Sequence, residues 1–223
     1  MDQQVKSRRK FIGSLAATAS LAGLSGPVMA GAPKPKPSAL MSEADERFKN
    51  IKGTHRIVYD APEPHNGFPI IWSWAFYYTN NQTGTTDGDM TSMVVLRHNA
   101  IPYALKDELW AKYNLGEVFN VDDPKTSSKA KRNSVYAPGE GDFPLPAIEG
   151  IKGQMERGAM FCVCELAIAV YSGAVAGGLG LDAEAVKKEW IAGVHPGIQV
   201  VPSGVWALGR AQEHGCGYIY AGG

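Results

Sequence analysis

Two cysteines separated by one residue, Cys162 and Cys164, are the side chains of this sequence with the clearest potential for chemistry. They stand where an apolar run, "AMFCVC", passes directly into a helical pattern, "ELAIAVYSGAVAGG". A thiol at a helix amino terminus feels the positive end of the helix dipole, which favours the nucleophilic thiolate. Cys164 is therefore the candidate reacting thiol and Cys162 the candidate second thiol, although the carboxylate of Glu165 opposes thiolate formation.

The cysteines also allow other interpretations. Free cysteine is among the most buried residue types and packs as a small hydrophobe. Side chains two residues apart on a strand point to one face, and Cys216 could form a disulfide with one of the pair if the last strand lies near theirs. Sulfur and imidazole donors would suit zinc or copper. No strong ligand spacing supports such a site, so we assign no metal and name no cofactor; the imidazoles considered are those of His98, His195 and His214.

A second group of polar side chains follows another apolar run. Met93 to Leu96 reads as a strand buried on both faces, and Arg97, His98 and Asn99 stand at its carboxyl end. Open α/β sheets bind ligands at the carboxyl ends of their strands. We therefore predict that these three residues are binding residues on the same rim as the cysteines, with Arg97 and His98 as the polar or anion-binding partners.

The elements that must position these residues alternate between strands and helices. This alternation predicts an α/β fold with a mostly parallel sheet flanked by helices, in a three-layer sandwich of the flavodoxin-like kind. The aromatic segment 71–78 is interpreted as core, Gly116 as a helix stop and Ser203 as a helix N-cap. A polar segment at about 121–147 is predicted to be an insertion over one end of the domain. The predicted strands lie in "HRIVYDAPE", "MVVL", "AMFCVC", "GIQVVPSG" and "CGYIYAG".

The amino-terminal residues have the character of a targeting segment. A basic n-region, a short apolar run and small residues at Val28 and Ala30 predict a signal peptide over 1–30, followed by a Pro/Lys-rich linker over 31–43 and the folded domain over 44–223. The apolar run is too short to span a bilayer, so we expect no stable membrane span after cleavage. Lys plus Arg and Asp plus Glu are 22 each, and this balance argues against a nucleic-acid partner.

Two parts of the chain resemble known sequences. "SRRKFIG" resembles the twin-arginine export signal, which implies a bacterial periplasmic protein that folds before export. Three further segments are "VVLRHNAIPYAL", "FCVCELAIAV" and "HPGIQVVPSGVWALGRAQEHGCGYIYAG". Through them, the stretch from Met93 to Gly222, apart from the insertion after Val121, resembles the DsrE/DsrF-like family of small α/β domains associated with sulfur relay and sulfur oxidation.

The family resemblance implies a function. Sulfur-carrying members hold a persulfide on a cysteine at the end of the corresponding strand, which matches Cys164, with Cys162 two residues earlier. Members assemble as trimers or hexamers, so a homo-oligomer is implied. The resulting hypothesis is an exported DsrE-like protein that carries or binds a small sulfur species or another small ligand. The alternatives are a non-catalytic oligomeric binding or accessory protein with structural cysteines, and a metal-binding redox protein.

Overall fold

A computed structural model describes residues 39–223, which build a five-stranded sheet whose strands all run parallel. The spatial order is β4-β3-β2-β1-β5, so β1 is an interior strand. The predicted α/β fold is confirmed. The strands are β1 (His55–Ala61), β2 (Met90–Leu96), β3 (Met160–Cys164), β4 (Gln199–Val201) and β5 (Gly217–Tyr220).

Helices cover both faces of this sheet. They are α1 (Ala39–Phe48), α2 (Phe68–Gln82), α3 (Asp107–Tyr113), α4 (Leu115–Phe119), α5 (Ile151–Glu156), α6 (Glu165–Leu179), α7 (Ala183–Ala192) and α8 (Gly204–Glu213), with 3₁₀ segments at His65–Gly67, Asp87–Asp89 and His98–Ala104. Helix α1 begins ahead of residue 44, where the sequence analysis starts the domain. The predicted signal peptide and the linker up to residue 38 lie outside the described residues. Within the described part, no helix is long and apolar enough to cross a membrane.

The core has two parts because alternate residues of each strand face opposite layers. All seven residues of the central strand β2 are buried. Val94 and Leu96 pack with residues of α2, α6 and α7, whereas Met93 and Val95 pack with residues of α1 and α8. The aromatic segment lies in α2 and is core only in part, because Tyr77 is fully buried whereas Tyr78 is 47% exposed. Its other aromatic residues, Trp72, Trp74 and Phe76, are half-buried. The molecule is thus a three-layer sandwich with its polar strand ends at one edge.

Local signals account for several helix boundaries. Ser203 caps α8 as predicted, since its hydroxyl accepts the N–H of Trp206 at 3.2 Å. The predicted stop at Gly116 is wrong, because α3 ends at Tyr113 and its C-cap Asn114 has a left-handed φ of 49°. Gly116 instead lies inside α4, where an added Cβ would come within 2.3 Å of the carbonyl oxygen of Ala130. The close approach of the following segment therefore explains this glycine.

That following segment, the predicted insertion at about 121–147, packs in an irregular conformation between α4 and α5. One antiparallel bridge joins Asp122 and Lys129. The amide of Asn133 donates to the carbonyl of Tyr103 at 2.8 Å, which fastens the segment to the domain. Nearby, the guanidinium of Arg132 donates to Asp142 at 2.9 Å. These contacts to buried polar groups give the insertion a defined position.

Candidate functional site at the carboxyl edge of the sheet

The predicted site residues meet at one edge because all strands run in the same direction. Ala61 of β1 is paired in register with Leu96 of β2, and Leu96 with Val163 of β3. Arg97 and Cys164 each follow this row by one residue. The ends of three neighbouring strands therefore bring the arginine, histidine and asparagine of the second strand to the same rim as Cys164.

Cys164 ends β3 and is the N-cap of α6. Its Sγ accepts the N–H of Ala167 at 3.3 Å, and the residue is 6% exposed. The neighbouring carboxylate of Glu165 is paired with Lys187 of α7, with Oε1 3.0 Å from Nζ. This ion pair balances the negative charge of Glu165. The sulfur atom of Cys164 therefore lies at the first turn of α6 beside a neutralised carboxylate.

Cys162 has different surroundings from Cys164. It is fully buried among residues of α1 and α8, whereas Cys164 packs with the core on the other side of the sheet. The expectation of a shared environment fails because Cys164 has cap geometry and its sulfur contacts the first turn of α6. Burial raises the pKa of Cys162 well above its usual range, and the nearby Cys164 raises it further. Cys162 therefore has the properties of a core residue.

Cys216 is remote from the other two thiols along the sheet. It precedes β5, which is separated from β3 by β1 and β2, or about 14 Å at three strand spacings of roughly 4.8 Å. A disulfide between Cys216 and either of the other two cysteines is therefore excluded, because a disulfide joins residues whose Cα atoms lie within about 7 Å. All three cysteines are free and buried, and burial raises the pKa of Cys216 to about 11.

Arg97 is held by a carboxylate that the sequence analysis did not select. Its Nε lies 2.6 Å from Asp60 Oδ1 and its Nη2 lies 2.9 Å from Oδ2. Tyr218 of β5 donates its hydroxyl to the same carboxylate at 2.8 Å. The hydrogen bond to Asp60 raises the pKa of Arg97. Because its charge is already balanced, only the remaining N–H groups of this arginine are available to a ligand.

His98 and Asn99 belong to a second hydrogen-bonded group. Asn99 Nδ2 donates to both carboxylate oxygens of Glu63, at 3.1 and 2.9 Å, and its Oδ1 accepts the hydroxyl of Tyr171 at 2.6 Å. The Nδ1 of His98 lies 3.3 Å from Glu63 Oε1, and its side chain is 54% exposed. The imidazole is therefore about half exposed, with its Nδ1 facing a carboxylate.

The rim gains four residues that the sequence analysis missed: Asp60, Glu63, Tyr171 and Tyr218. Two of them carried a detectable signal. Asp60 is a lone charge inside the apolar run "IVYDA", and a buried charge requires a partner. Tyr171 follows Cys164 by about two helical turns and so shares its face of α6. Burial, with a smaller contribution from Glu63, raises the pKa of Tyr171 to about 12, which keeps it a hydrogen-bond donor at neutral pH.

The combined charges determine which ligands this rim suits. Asp60 and Glu63 offset the guanidinium of Arg97, so there is no surplus of fixed positive charge. The arrangement favours a neutral or weakly charged species that reaches the sulfur of Cys164. Among residues 39–223, no three His, Cys, Asp or Glu side chains are grouped so that they could hold a metal ion. Comparisons with family models, curated proteins and solved structures found no match to this chain.

Proposed function

We propose that this protein is an exported DsrE-like domain that carries a sulfane sulfur atom on Cys164. The observation that carries the proposal is the hydrogen bond from the Ala167 N–H to Cys164 Sγ at the strand-to-helix junction. Main-chain N–H groups at a helix amino terminus stabilise negative charge, such as the charge of an attacking sulfur atom. The resemblance of the surrounding sequence to sulfur-carrying domains supports the same role.

The proposed step is a transfer between two sulfur atoms. The Cys164 thiolate attacks the terminal sulfur of a hydropersulfide donor, R–S–SH, and displaces the donor thiolate, R–S⁻. The products are Cys164–S–SH and R–S⁻, so the reaction needs no further oxidant or reductant. Such exchange depends on the thiolate character of the attacking sulfur and on the leaving thiol. Arg97 and His98 are partly exposed at the same rim and are the candidate N–H donors to the incoming molecule.

The test uses the reduced chain, incubated with inorganic polysulfide and examined by intact-mass spectrometry. We expect one added sulfur atom that dithiothreitol removes, with the modified peptide containing Cys164. Cys164→Ser should abolish the adduct and keep the fold, because serine is a good N-cap residue. Cys162→Ala is the matched control and should retain the adduct. An adduct that survives Cys164→Ser, or no adduct on the unmodified chain, would refute the proposal.

Export and association are further parts of the proposal. The twin-arginine resemblance of "SRRKFIG" supports periplasmic export, and replacing Arg8 and Arg9 together with lysine should leave an unprocessed precursor in the cytoplasm. Processing of the doubly substituted chain at the normal rate would contradict this route. The family resemblance supports a homo-oligomer, and its size is measured by light scattering of the purified protein. A monomer at every concentration would contradict association.

One observation favours a second function, a non-catalytic accessory protein with structural cysteines. All three thiols are buried, and burial raises the pKa of both Cys162 and Cys216. In that case every cysteine should resist alkylation until the protein is denatured. Rapid alkylation of Cys164 in the native protein, with Cys162 and Cys216 protected, separates the sulfur carrier from the accessory protein.

A further inference from the structure

The open edge of β5 is the least protected main-chain surface of the sheet. Within residues 39–223, β5 is hydrogen-bonded to β1 on one side and to no strand on the other, and all four of its residues are exposed. The exposed fractions are 46% for Tyr218, 38% for Ile219 and 52% for Tyr220. An exposed edge strand presents unpaired N–H and C=O groups that can pair with another chain.

The opposite edge of the same sheet is protected. β4 has three residues and is followed directly by Pro202. Helix α1 packs against it, and the guanidinium of Arg47 donates to the carbonyl of Gly197 just before the strand. Short length, proline and a covering helix are common protections of a sheet edge. β5 has four residues and is only one residue longer than β4, but among residues 39–223 no helix is seen to cover its exposed side chains. No Pro, Lys, Arg, Asp, Glu or His occurs from Cys216 to Gly223.

The pairing with β1 determines which main-chain groups of β5 remain free. The N–H of Ala221 donates to the carbonyl of Asp60 at 2.7 Å. Because successive residues of a strand direct these groups to alternate sides, the N–H and C=O of Ile219 also point toward β1. The corresponding groups of Tyr218 and Tyr220 point away from the sheet. They lie symmetrically about Ile219.

We propose that β5 pairs antiparallel with β5 of a second copy of this chain, about a twofold axis that passes at Ile219. Two identical edge strands related by a twofold axis are necessarily antiparallel. Tyr218 of each copy then exchanges both main-chain hydrogen bonds with Tyr220 of the other, and Ile219 stands opposite itself in a non-hydrogen-bonded pair. The two sheets become continuous across the interface.

The side chains of β5 suit this occupant better than a charged partner. The two tyrosines lie on one face of the strand, so each would stand across from an aromatic ring of the second copy, a favourable cross-strand pair. β5 contains no charged residue, so the antiparallel pairing places no like charges opposite each other. The interface identifies a surface for the homo-oligomer proposed above, and it does not depend on the chemistry of Cys164.

The interface would also border the rim. The Tyr218 hydroxyl donates to the Asp60 carboxylate that holds Arg97. Association would therefore restrict the motion of Tyr218, which contacts the Asp60–Arg97 pair of the candidate site. Loss of association and loss of sulfur uptake remain separable, since one is measured by mass in solution and the other by mass of the modified peptide.

The first experiment measures molar mass in solution by size-exclusion chromatography with light scattering over a range of protein concentrations. Ile219→Lys places like charges across the twofold axis and should weaken association roughly hundredfold, leaving a monomer. Val205→Lys is the matched control, because Val205 is a 73% exposed aliphatic residue on α8. Far-ultraviolet circular dichroism checks that both variants are folded.

The second experiment tests the register directly. Ile219→Cys brings two cysteines of different copies to a non-hydrogen-bonded pair, where Cα atoms are about 4.5 Å apart and within the range of a disulfide. We expect an intermolecular disulfide under mild oxidation, and none from Val205→Cys. A wild-type monomer at all concentrations would overturn the proposal. The proposal would also be overturned if Ile219→Lys remained oligomeric and Ile219→Cys formed no disulfide. That result would indicate that the copies associate through the exposed apolar side chains of α6.

Discussion

Arg97 and Asp60 form the ion pair on which the polar edge of the sheet depends. The carboxylate is 4% exposed and the guanidinium 29%, and two N–H groups of the arginine reach the two carboxylate oxygens. Arg97→Met keeps a side chain of similar length and removes the charge. Asp60 would then remain a buried carboxylate with Tyr218 as its remaining side-chain donor.

The cost follows from burial. Removing one partner of a buried ion pair costs about 3–5 kcal/mol because a charge is left uncompensated. Since Arg97 is partly exposed, water can replace part of its interaction with Asp60. We therefore expect a loss of unfolding free energy at the lower end of this range, about 3 kcal/mol. For a domain of this size, that corresponds to a fall in melting temperature of about 6–12 °C.

The assay is urea unfolding followed by circular dichroism, with a control matched in geometry. Lys129 and Asp122 form a pair of the same 2.6 Å distance, but their side chains are 31% and 57% exposed. Lys129→Met should therefore cost about 0–1 kcal/mol. In the Arg97→Met background, Asp60→Asn should recover part of the lost stability because it removes the unpaired charge. Equal losses in Arg97→Met and Lys129→Met would refute the reasoning.

The remaining predictions concern packing and pH. Gly204→Ala should destabilise the protein by about 1–3 kcal/mol because the new Cβ would lie 2.6 Å from Cβ of Arg97. Gly209→Ala in the same helix meets open space and should stabilise by about 0.5–1 kcal/mol, so urea unfolding that ranks the two variants the other way would contradict the packing. Burial lowers the pKa of His195 from 6.5 to about 4. The unfolded chain therefore takes up the proton first, and this contribution to stability is complete above pH 6.5 and is lost as the pH falls toward 4. His195→Phe keeps the stack on Tyr136 and should flatten the stability profile in that window; an unchanged acid slope in thermal melts would contradict the assignment.

Hydrophobic periodicity and helix capping allowed much of the fold to be predicted. The last four residues of β2, 93–96, read as an uninterrupted apolar run, and the junction at Cys164 read as a strand that passes into a helix. Ser203 was recognisable as an N-cap because its type is suited to one local position. Such features depend on residues close together in the chain, so a single sequence contains the information they need.

Partners distant in sequence could not be predicted in the same way. Asp60 meets Arg97, and Lys187 meets Glu165, only because β1 lies beside β2 and α7 packs near the start of α6. The partner of Glu165 lies in another helix, so the residues around Cys164 in the sequence could not reveal it.

The sequence by itself determined the α/β class, the strand-end location of Cys164 and the row Arg97 to Asn99. The tertiary structure decided that Cys162 is a core residue, that Cys216 is too far along the sheet for a disulfide, and that the edge of β5 is open. The physical reason is that periodicity specifies which face of an element is apolar, whereas the order of the strands specifies which faces and edges meet. That order results from the packing of the whole domain.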